Sequence, residues 1–406
     1  MIKSLRITNF KVFEDVTFDF GDIRLDSGNV SVIVGPSGSG KSALVDAFLL
    51  LKQVAGLNPD APNPFARWGG YEKVVFMNNK GKDISLEVTG VIKGQGKDKS
   101  NVQDEFKYNV TLNGNIIKNE RIEIKGKGVC YKRGEKGNIS DCAQNKDVGT
   151  VTGNTSMVFY LFYRNNCEKT YKEDEETQTR EDCTILNELM NGIGVFRVVP
   201  SVAASPVPFT FPKDMMEETG RGLPMVLLNY FIGRKEGKYI DQPTTRFIDK
   251  FIDRDLRAMR MIPKPTLTAE GYVRLLFVRN TGEVSSSVEG SGNEVDASYG
   301  LVPDGVLKML VLLAAMGILG LSTIVVDELE NSLHPAYLEF LMGVVRSSGK
   351  QLIATTNSPA VVDLLDPSEV ILLKREGNNV TATKLDPVVK QRLGKERKYL
   401  SDYLFY

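Results

Sequence analysis

The spacing of apolar residues predicts a β-hairpin at the start of the chain, then a buried strand and a helix. Residues 5–20 alternate apolar and polar side chains on both sides of Glu14-Asp15, which is the pattern of two paired strands. The uninterrupted apolar run 30–34 predicts a buried strand, and apolar residues recur at helical spacing between residues 44 and 51. A short segment rich in glycine and serine separates the strand from the helix.

The rest of the chain divides by the same criterion. Residues 73–133 contain further strand-like segments separated by Gly- and Asn-rich turns, so an antiparallel sheet is expected there. Helical spacing dominates at residues 184–196 and 215–262. From residue 301 onward helix and strand alternate, which indicates a parallel sheet with helices packed on it.

The segment between the first buried strand and its helix has the spacing of a phosphate-binding loop, G-x-x-x-x-G-K-S. Glycine lets backbone N–H groups approach phosphate oxygens, Lys41 would reach the β- and γ-phosphates, and Ser42 would hold Mg²⁺. The strand, loop and helix context is the one that this motif requires. The loop consists of Gly35, Pro36, Ser37, Gly38, Ser39, Gly40, Lys41 and Ser42.

A second motif, almost three hundred residues later, supplies what the loop lacks. The apolar strand 324–326 ends in Asp327 and Glu328. Asp327 would hold the Mg²⁺ shell, and Glu328 would orient or deprotonate the attacking water. Both motifs together predict an enzyme that hydrolyses ATP with Mg²⁺.

Charge and hydropathy narrow the setting. Lysine plus arginine and aspartate plus glutamate both number 51, so the formal net charge is zero and bulk attraction to nucleic acid is not indicated, although a local basic face stays open. Lys3 and Arg6 stand where a secretory signal would have its apolar core, so we expect a cytoplasmic protein. Residues 309–326 are apolar enough to suggest a membrane span, but Gly317 and Gly320 interrupt them, so a buried helix and strand are expected instead.

The cysteines contain no C-x-x-C pair, and the single histidine, His334, is far from them, so a zinc site is weakly supported. Free thiols are the expectation, with disulfides only if the source is a hyperthermophile. The cysteines are Cys130, Cys142, Cys167 and Cys183.

Four stretches of the sequence are Ile7-Thr8-Asn9-Phe10-Lys11-Val12-Phe13, the phosphate loop, Arg67-Trp68-Gly69-Gly70, and Asp327-Glu328-Leu329-Glu330-Asn331-Ser332-Leu333-His334-Pro335. They resemble motifs of the ABC-type ATPases of the RecF, SMC and overcoming-lysogenization-defect lineage, especially small members without long coiled coils. The resemblance implies an α/β P-loop head built from both ends of the chain: a mixed sheet with helices, an antiparallel β subdomain and an inserted α+β arm. We divide the chain accordingly into 1–72 (first half of the head), 73–183 (β-rich lateral region), 184–300 (helical insert) and 301–406 (second half).

The resemblance also implies that two heads enclose ATP head to tail, each nucleotide being covered by a signature turn of the partner copy. Such a turn places small residues at a helix N-terminus, whose amides and dipole attract phosphate. Pro303-Asp304-Gly305 is favoured, with Asp304 and Gly305 near the nucleotide; Ser298-Tyr299-Gly300 is the alternative.

Two further residues take roles by the same resemblance. Asn357 stands where relatives often have a switch histidine; it can donate a hydrogen bond but cannot shuttle a proton, so slow turnover is expected. His334 would contact the nucleotide across the dimer or, equally, cap the following helix.

The leading hypothesis is an ATP-dependent homodimer that acts as a switch in DNA maintenance or anti-phage defence. The rival is a regulatory ATPase that controls a separately encoded nuclease or toxin without binding DNA. A transporter subunit fits poorly, because the Leu-Ser-Gly-Gly-Gln string is missing from the sequence.

Overall fold

The buried apolar runs of the sequence pair into a mostly parallel central sheet in the computed structural model. The structure describes residues 1–93, 103–114, 116–125, 129–151, 154–167, 177–236, 245–279, 294–386, 388 and 399–405. All neighbours in the central sheet are parallel except the last two strands, which form a hairpin. Its strand order is β10 (Ile193–Phe196), β15 (Thr323–Val326), β16 (Gln351–Thr356), β3 (Asn29–Val34), β17 (Val370–Glu376) and β18 (Asn379–Lys384).

Helices cover this sheet, and alternate strand residues face different hydrophobic cores. Ile33 and Val325 pack in one core with the helix that follows the phosphate loop. Val32 and Ile324 pack in another core with the helices of the C-terminal half. Burial on both faces explains why these strands have continuous apolar runs rather than alternation. The helices are α1 (Lys41–Ala55), α2 (Tyr71–Val74), α3 (Met157–Arg164), α4 (Thr177–Asn191), α5 (Pro200–Ala203), α6 (Leu223–Lys235), α7 (Thr245–Lys250, continued as the π-helix Phe251–Leu256), α8 (Asp304–Gly317), α9 (Pro335–Ser348), α10 (Pro359–Val362) and α11 (Leu400–Phe405).

An antiparallel sheet lies beside the central one. Gln351 of β16 joins the two sheets, because its side chain accepts a hydrogen bond from Ile2 N at 2.8 Å and donates one to Ile2 O at 2.7 Å. The N-terminal hairpin belongs to this lateral sheet, so the division we drew at residue 72 does not follow the sheets. The strand order is β2 (Phe13–Asp19), β1 (Ile2–Phe10), β4 (Ile84–Lys93), β5 (Gln103–Asn113), β6 (Ile116–Ile124), β7 (Val129–Arg133), β8 (Asn138–Asp141) and β9 (Lys146–Thr150).

The region 184–300 contains strands as well as helices. The helix expected over residues 184–196 ends at Asn191, and β10 then pairs in parallel with β15 in the central sheet. Periodicity could not separate this strand from the helix, because four apolar residues are too few to distinguish the two patterns. The helix expected over residues 215–262 is divided between α6 and α7 and ends in a strand of a third, small sheet. That sheet has the order β11 (Val207–Pro208), β13 (Tyr272–Arg279) and β12 (Met261–Leu267), with β14 (Glu294–Asp296) also pairing with β13.

The expectation of free thiols is wrong. Cys130 is bonded to Cys142 and Cys167 to Cys183, so the cysteines, all within the described residues, form disulfides. The first bond links β7 to the residue after β8, and the second ties the segment after α3 to α4. The paired cysteines are 12 and 16 residues apart in sequence, and the folding of the sheet and helices brings them together. In the described ranges, no helix has both the length and the apolar character of a membrane span.

We predict that reduction destabilises the protein. The bonds close sequence separations of 12 and 16 residues, and each should contribute about 2–4 kcal/mol by restricting the unfolded chain. Protein denatured without reductant should give no reaction with a thiol reagent, and urea unfolding with reductant should show the loss. In the double variant C130S/C142S, reductant should lower the free energy of unfolding only by the contribution of the remaining Cys167–Cys183 bond. Full thiol reactivity before reduction would contradict the prediction.

Candidate functional site

The phosphate loop follows β3 and ends in α1, as its sequence predicts. Gly38 and Gly40 adopt positive φ values of 78° and 113°, which favour glycine. A Cβ atom on Gly40 would lie 2.9 Å from the side chains of Val12 and Phe13, so the close packing of the hairpin turn also requires glycine there. Ser39 Oγ is buried and has no hydrogen-bond partner among the described residues. The first amides of α1 point into the loop, as helix geometry dictates.

Lys41 lies folded across this loop. Its ammonium donates to Gly35 O at 2.5 Å and to Pro36 O at 3.1 Å. Burial lowers the pKa of Lys41, while Glu330, Asp327 and Glu328 act in the opposite direction. The lysine of the loop and the acidic residues from the other end of the chain are therefore electrostatic neighbours.

Asp327 follows β15 and faces the loop directly. Ser42 Oγ lies 3.5 Å from Asp327 Oδ1 although the residues are 285 positions apart. Thr355 Oγ1 donates to the same Oδ1 at 2.6 Å, which fixes that oxygen beside Ser42. A serine hydroxyl and a carboxylate oxygen at one point are suitable ligands for Mg²⁺ next to a triphosphate. The residues present therefore fit a magnesium nucleotide.

Glu328 begins a tight turn after the strand. Its φ of +49° is unusual for a residue with a side chain. The turn is held by Thr355, whose Oγ1 accepts from Glu328 N at 2.9 Å, and by Asn331, whose Nδ2 donates to Glu328 Oε2 at 2.5 Å. The carboxylate is exposed at the site rather than buried in the core. Its predicted role with water is compatible with this position.

Asn357 follows β16 at the same edge of the sheet. Its backbone N donates to Glu330 Oε1 at 2.8 Å, and Thr356 Oγ1 donates to Glu330 Oε2 at 2.7 Å. Glu330 thus connects the turn after Asp327 to the end of β16. Its carboxylate therefore positions the backbone at Asn357.

Asp304 and Gly305 form the first turn of α8, whereas Ser298 and Tyr299 lie in a short 3-10 turn before it. A Cβ atom on Gly305 would clash with Ser332 O, so glycine permits the close approach of α8 to the turn that follows Glu328. The favoured candidate therefore starts a long helix, and its contact with a second copy stays a prediction.

His334 caps α9. Its Nδ1 accepts from Ala336 N at 3.2 Å, and the side chain is exposed. The capping role, one of the two alternatives, is present; a contact with nucleotide across a dimer is untested.

Lys308, in the buried helix α8, forms hydrogen bonds with the backbone of the turn that follows Asp327. It is 3% exposed, and its ammonium donates to Glu328 O at 2.8 Å and to Asn331 O at 2.9 Å. Burial lowers the pKa of Lys308 to about 8. Sequence analysis missed this residue, because a lysine inside an apolar helix has no motif of its own.

Arg197 is the other residue that the sequence analysis missed. It directly follows β10, so it stands at the same edge as the phosphate loop and Asp327. Its Nε donates to Asp327 Oδ2 at 3.0 Å, and its NH1 donates to Asp46 Oδ1 at 2.7 Å. Recognising Ile193–Phe196 as a strand of the parallel sheet would have placed this arginine at the site.

Two family models match separate parts of the chain. A family model described as "AAA domain" matches residues 4–188, which contain the phosphate loop. A model described as "AAA domain, putative AbiEii toxin, Type IV TA system" matches residues 213–363, which contain Asp327, Glu328 and Asn357. No curated protein matches the sequence.

A solved structure of an SMC head shares the fold, and two more SMC heads align over almost the whole chain with lower scores. An SMC head bound to the C-terminal winged-helix domain of ScpA covers 96% of this chain and 99% of its own, with a TM-score of 0.52 and 13% identity. The SMC head of Thermotoga maritima has a TM-score of 0.40 at 15% identity, covering 95% of this chain and 99% of its own. An SMC head with an extended coiled coil, bound to the C-terminal domain of ScpA derived from Pyrococcus furiosus, has a TM-score of 0.46 at 12% identity, with coverage of 98% and 99%.

The fold is that of a P-loop ATPase head of the SMC type. The family models and this fold confirm the resemblance of the chain to RecF- and SMC-like ABC ATPases.

We predict that the contribution of Lys308 to stability depends on pH. Its folded-state pKa of about 8 lies below the ordinary lysine value of 10.5. The unfolded chain therefore binds this proton more tightly than the folded protein does. Below the folded pKa, burial of the charged lysine lowers the free energy of unfolding, and this loss disappears as pH rises from the folded to the unfolded pKa. Urea unfolding of the wild type and of Lys308→Met at pH 7.5 and at pH 9.5 should show the difference in unfolding free energy shifting in favour of the wild type. A difference that is independent of pH would contradict this prediction.

Proposed function

We propose that this protein binds Mg²⁺–ATP at the loop 35–42 and hydrolyses it slowly, using ATP to bring two heads together. The observation that carries the proposal is the approach of Ser42 Oγ to Asp327 Oδ1 at 3.5 Å. Two motifs from opposite ends of the chain meet there, in the arrangement that phosphoryl transfer to water requires.

The residues divide the work as follows. The loop amides and Lys41 bind the phosphates, and Ser42 with Asp327 holds the metal ion, which when bound neutralises charge on the triphosphate. Glu328 orients or deprotonates the water. Asn357 holds a hydrogen bond near the γ-phosphate, and its amide cannot carry a proton, so turnover is slow.

The homodimer is inferred from the exposed first turn of α8. Asp304 and Gly305 offer a helix N-terminus to the triphosphate of a second copy, and His334 at the start of α9 lies on the neighbouring turn. Because the cleft between two heads closes only around ATP, hydrolysis would release them. We place this switch in the cytoplasm. Stable disulfides are rare there except in hyperthermophiles, so we expect a hyperthermophile as the source.

The biological role that we favour is DNA maintenance or anti-phage defence, with DNA as the partner; an effector protein is the partner in the second role. A specific observation also supports the second candidate, a regulatory ATPase that controls a separately encoded nuclease or toxin. The family model over residues 213–363 is described by a toxin and a type IV toxin–antitoxin system. The formal net charge of zero favours a protein partner over bulk DNA binding.

Changing Glu328 to Gln should separate binding from hydrolysis. The amide keeps the shape of the side chain but removes the base, so turnover should fall by about a hundredfold or more, while ATP affinity changes little. Dimers formed with Mg²⁺–ATP should then persist, which light scattering after dilution would measure.

Glu270→Gln is the matched control, because Glu270 is exposed in the turn between β12 and β13. It should behave as the wild type in both assays. If Glu328→Gln hydrolysed ATP normally, the assigned base would be wrong; if it never dimerised, the engagement of two heads would be wrong.

The two candidate roles predict different partners. Purification from the native host should yield DNA whose binding weakens steeply with salt under the first role. Under the second role, a nuclease or toxin should co-purify in stable proportion, and binding to DNA should be undetectable.

A further inference from the structure

The guanidinium of Arg197 forms four hydrogen bonds at the candidate site, although Arg197 belongs to none of the sequence motifs. Its Nε binds Asp327, its NH1 binds Asp46 at 2.7 Å and Glu218 at 3.2 Å, and its NH2 donates to Ser42 O at 3.0 Å. The guanidinium therefore contacts three segments: the residue after β15, helix α1, and the loop before α6.

The contacts belong to one chain of alternating charges. Asp46 also pairs with Lys11 from the hairpin turn, and Glu218 pairs with Arg67 at 2.6 Å. The carboxylates around Arg197 are largely buried, with side-chain exposures of 7% for Asp46, 10% for Asp327 and 17% for Glu218. Buried carboxylates need such partners, because unpaired charge is costly away from water.

The two oxygens of Asp327 have different partners. Oδ2 accepts from Arg197, whereas Oδ1 faces Ser42 and Thr355. Arg197 thus occupies the oxygen turned away from Ser42 and leaves the other oxygen aimed at the predicted metal position. A planar guanidinium holds several acceptors in fixed directions, which a lysine ammonium cannot do.

A backbone ladder carries the same connection into the insert. Arg197 N donates to Glu218 O at 2.9 Å, and Val199 N donates to Thr219 O at 3.0 Å. The loop ends at Gly222, where α6 begins, and α6 packs against the small sheet of β12 and β13. The two backbone hydrogen bonds hold this loop beside Arg197, and the Glu218 side chain links the guanidinium to it.

We propose that Arg197 is a positioning residue for Asp327, and that through Glu218 it couples the magnesium site to the loop 215–222 of the insert. The inference rests on the proposed function and deepens it. Arg197 sets the direction of Oδ1, while Glu218 transmits the state of the site to α6.

Nucleotide affinity with and without metal tests the positioning role. A nonhydrolysable ATP analogue would be titrated calorimetrically into each variant, once with excess Mg²⁺ and once with EDTA. In Arg197→Met the affinity in EDTA should match the wild type, whereas the affinity with Mg²⁺ should fall by about 10- to 100-fold, the loss typical of residues that orient a metal ligand. Arg197→Lys should restore little of it.

The coupling role needs a second variant and a second readout. Glu218→Gln keeps Arg197 on Asp327, so its affinity with Mg²⁺ should stay within about twofold of the wild type, less than 1 kcal/mol. Amide hydrogen exchange in the loop 215–222 should respond to Mg²⁺–nucleotide in the wild type, and in neither Glu218→Gln nor Arg197→Met. Arg6→Met is the control for losing an arginine pair, since Arg6 binds the exposed carboxylate of Asp15; it should change nothing.

The outcomes separate the hypotheses. If the wild type bound no nucleotide under either condition, the proposed function would fail before Arg197 is tested. If the wild type bound with Mg²⁺ and Arg197→Met or Arg197→Lys did the same, positioning by the guanidinium would be refuted. A loop response that survives in Glu218→Gln would refute coupling through the Glu218 side chain.

Discussion

The parallel register of three strands is the constraint on which the candidate site depends. Val34, the last residue of β3, pairs with Thr356, the last of β16, and Val326 of β15 pairs with Ala354 of β16. Because parallel strands end at a common edge, the phosphate loop, the acidic turn and the segment after β16 must emerge together. A register slip of one residue in any of these strand pairs would move each side chain of the shifted strand to the opposite face of the sheet, and it would separate Ser42 from Asp327.

Gathering these segments concentrates negative charge, and the surrounding structure compensates for it. Thr355 serves Asp327 and Glu328 together, through its hydroxyl, and Lys308 bonds the carbonyl groups of the turn from the core side. Arg197 neutralises Asp327 and Asp46 from the insert side. The site is therefore supported by α8, by β16 and by the residue that follows strand β10.

The sequence predicted the parts whose chemistry is local. The phosphate loop is continuous in sequence, and the apolar strand before Asp327 ends in a recognisable carboxylate pair, so both could be assigned from residue spacing alone. Arg197 could not, because β10 has only four residues and its periodicity is indistinguishable from the helix before it. The disulfides were missed for a related reason: Cys167 and Cys183 meet only when α3 packs beside α4. Pairings that depend on tertiary neighbours leave no signal in spacing.

A crystal structure with Mg²⁺ and a nonhydrolysable ATP analogue tests most directly whether the two ends of the chain form one nucleotide site. The account predicts the triphosphate along residues 35–42, with the metal ion held by Ser42 Oγ and by the carboxylate of Asp327, directly or through a water molecule. A triphosphate bound elsewhere, or a metal ion held without Ser42 and remote from Asp327, would contradict the account.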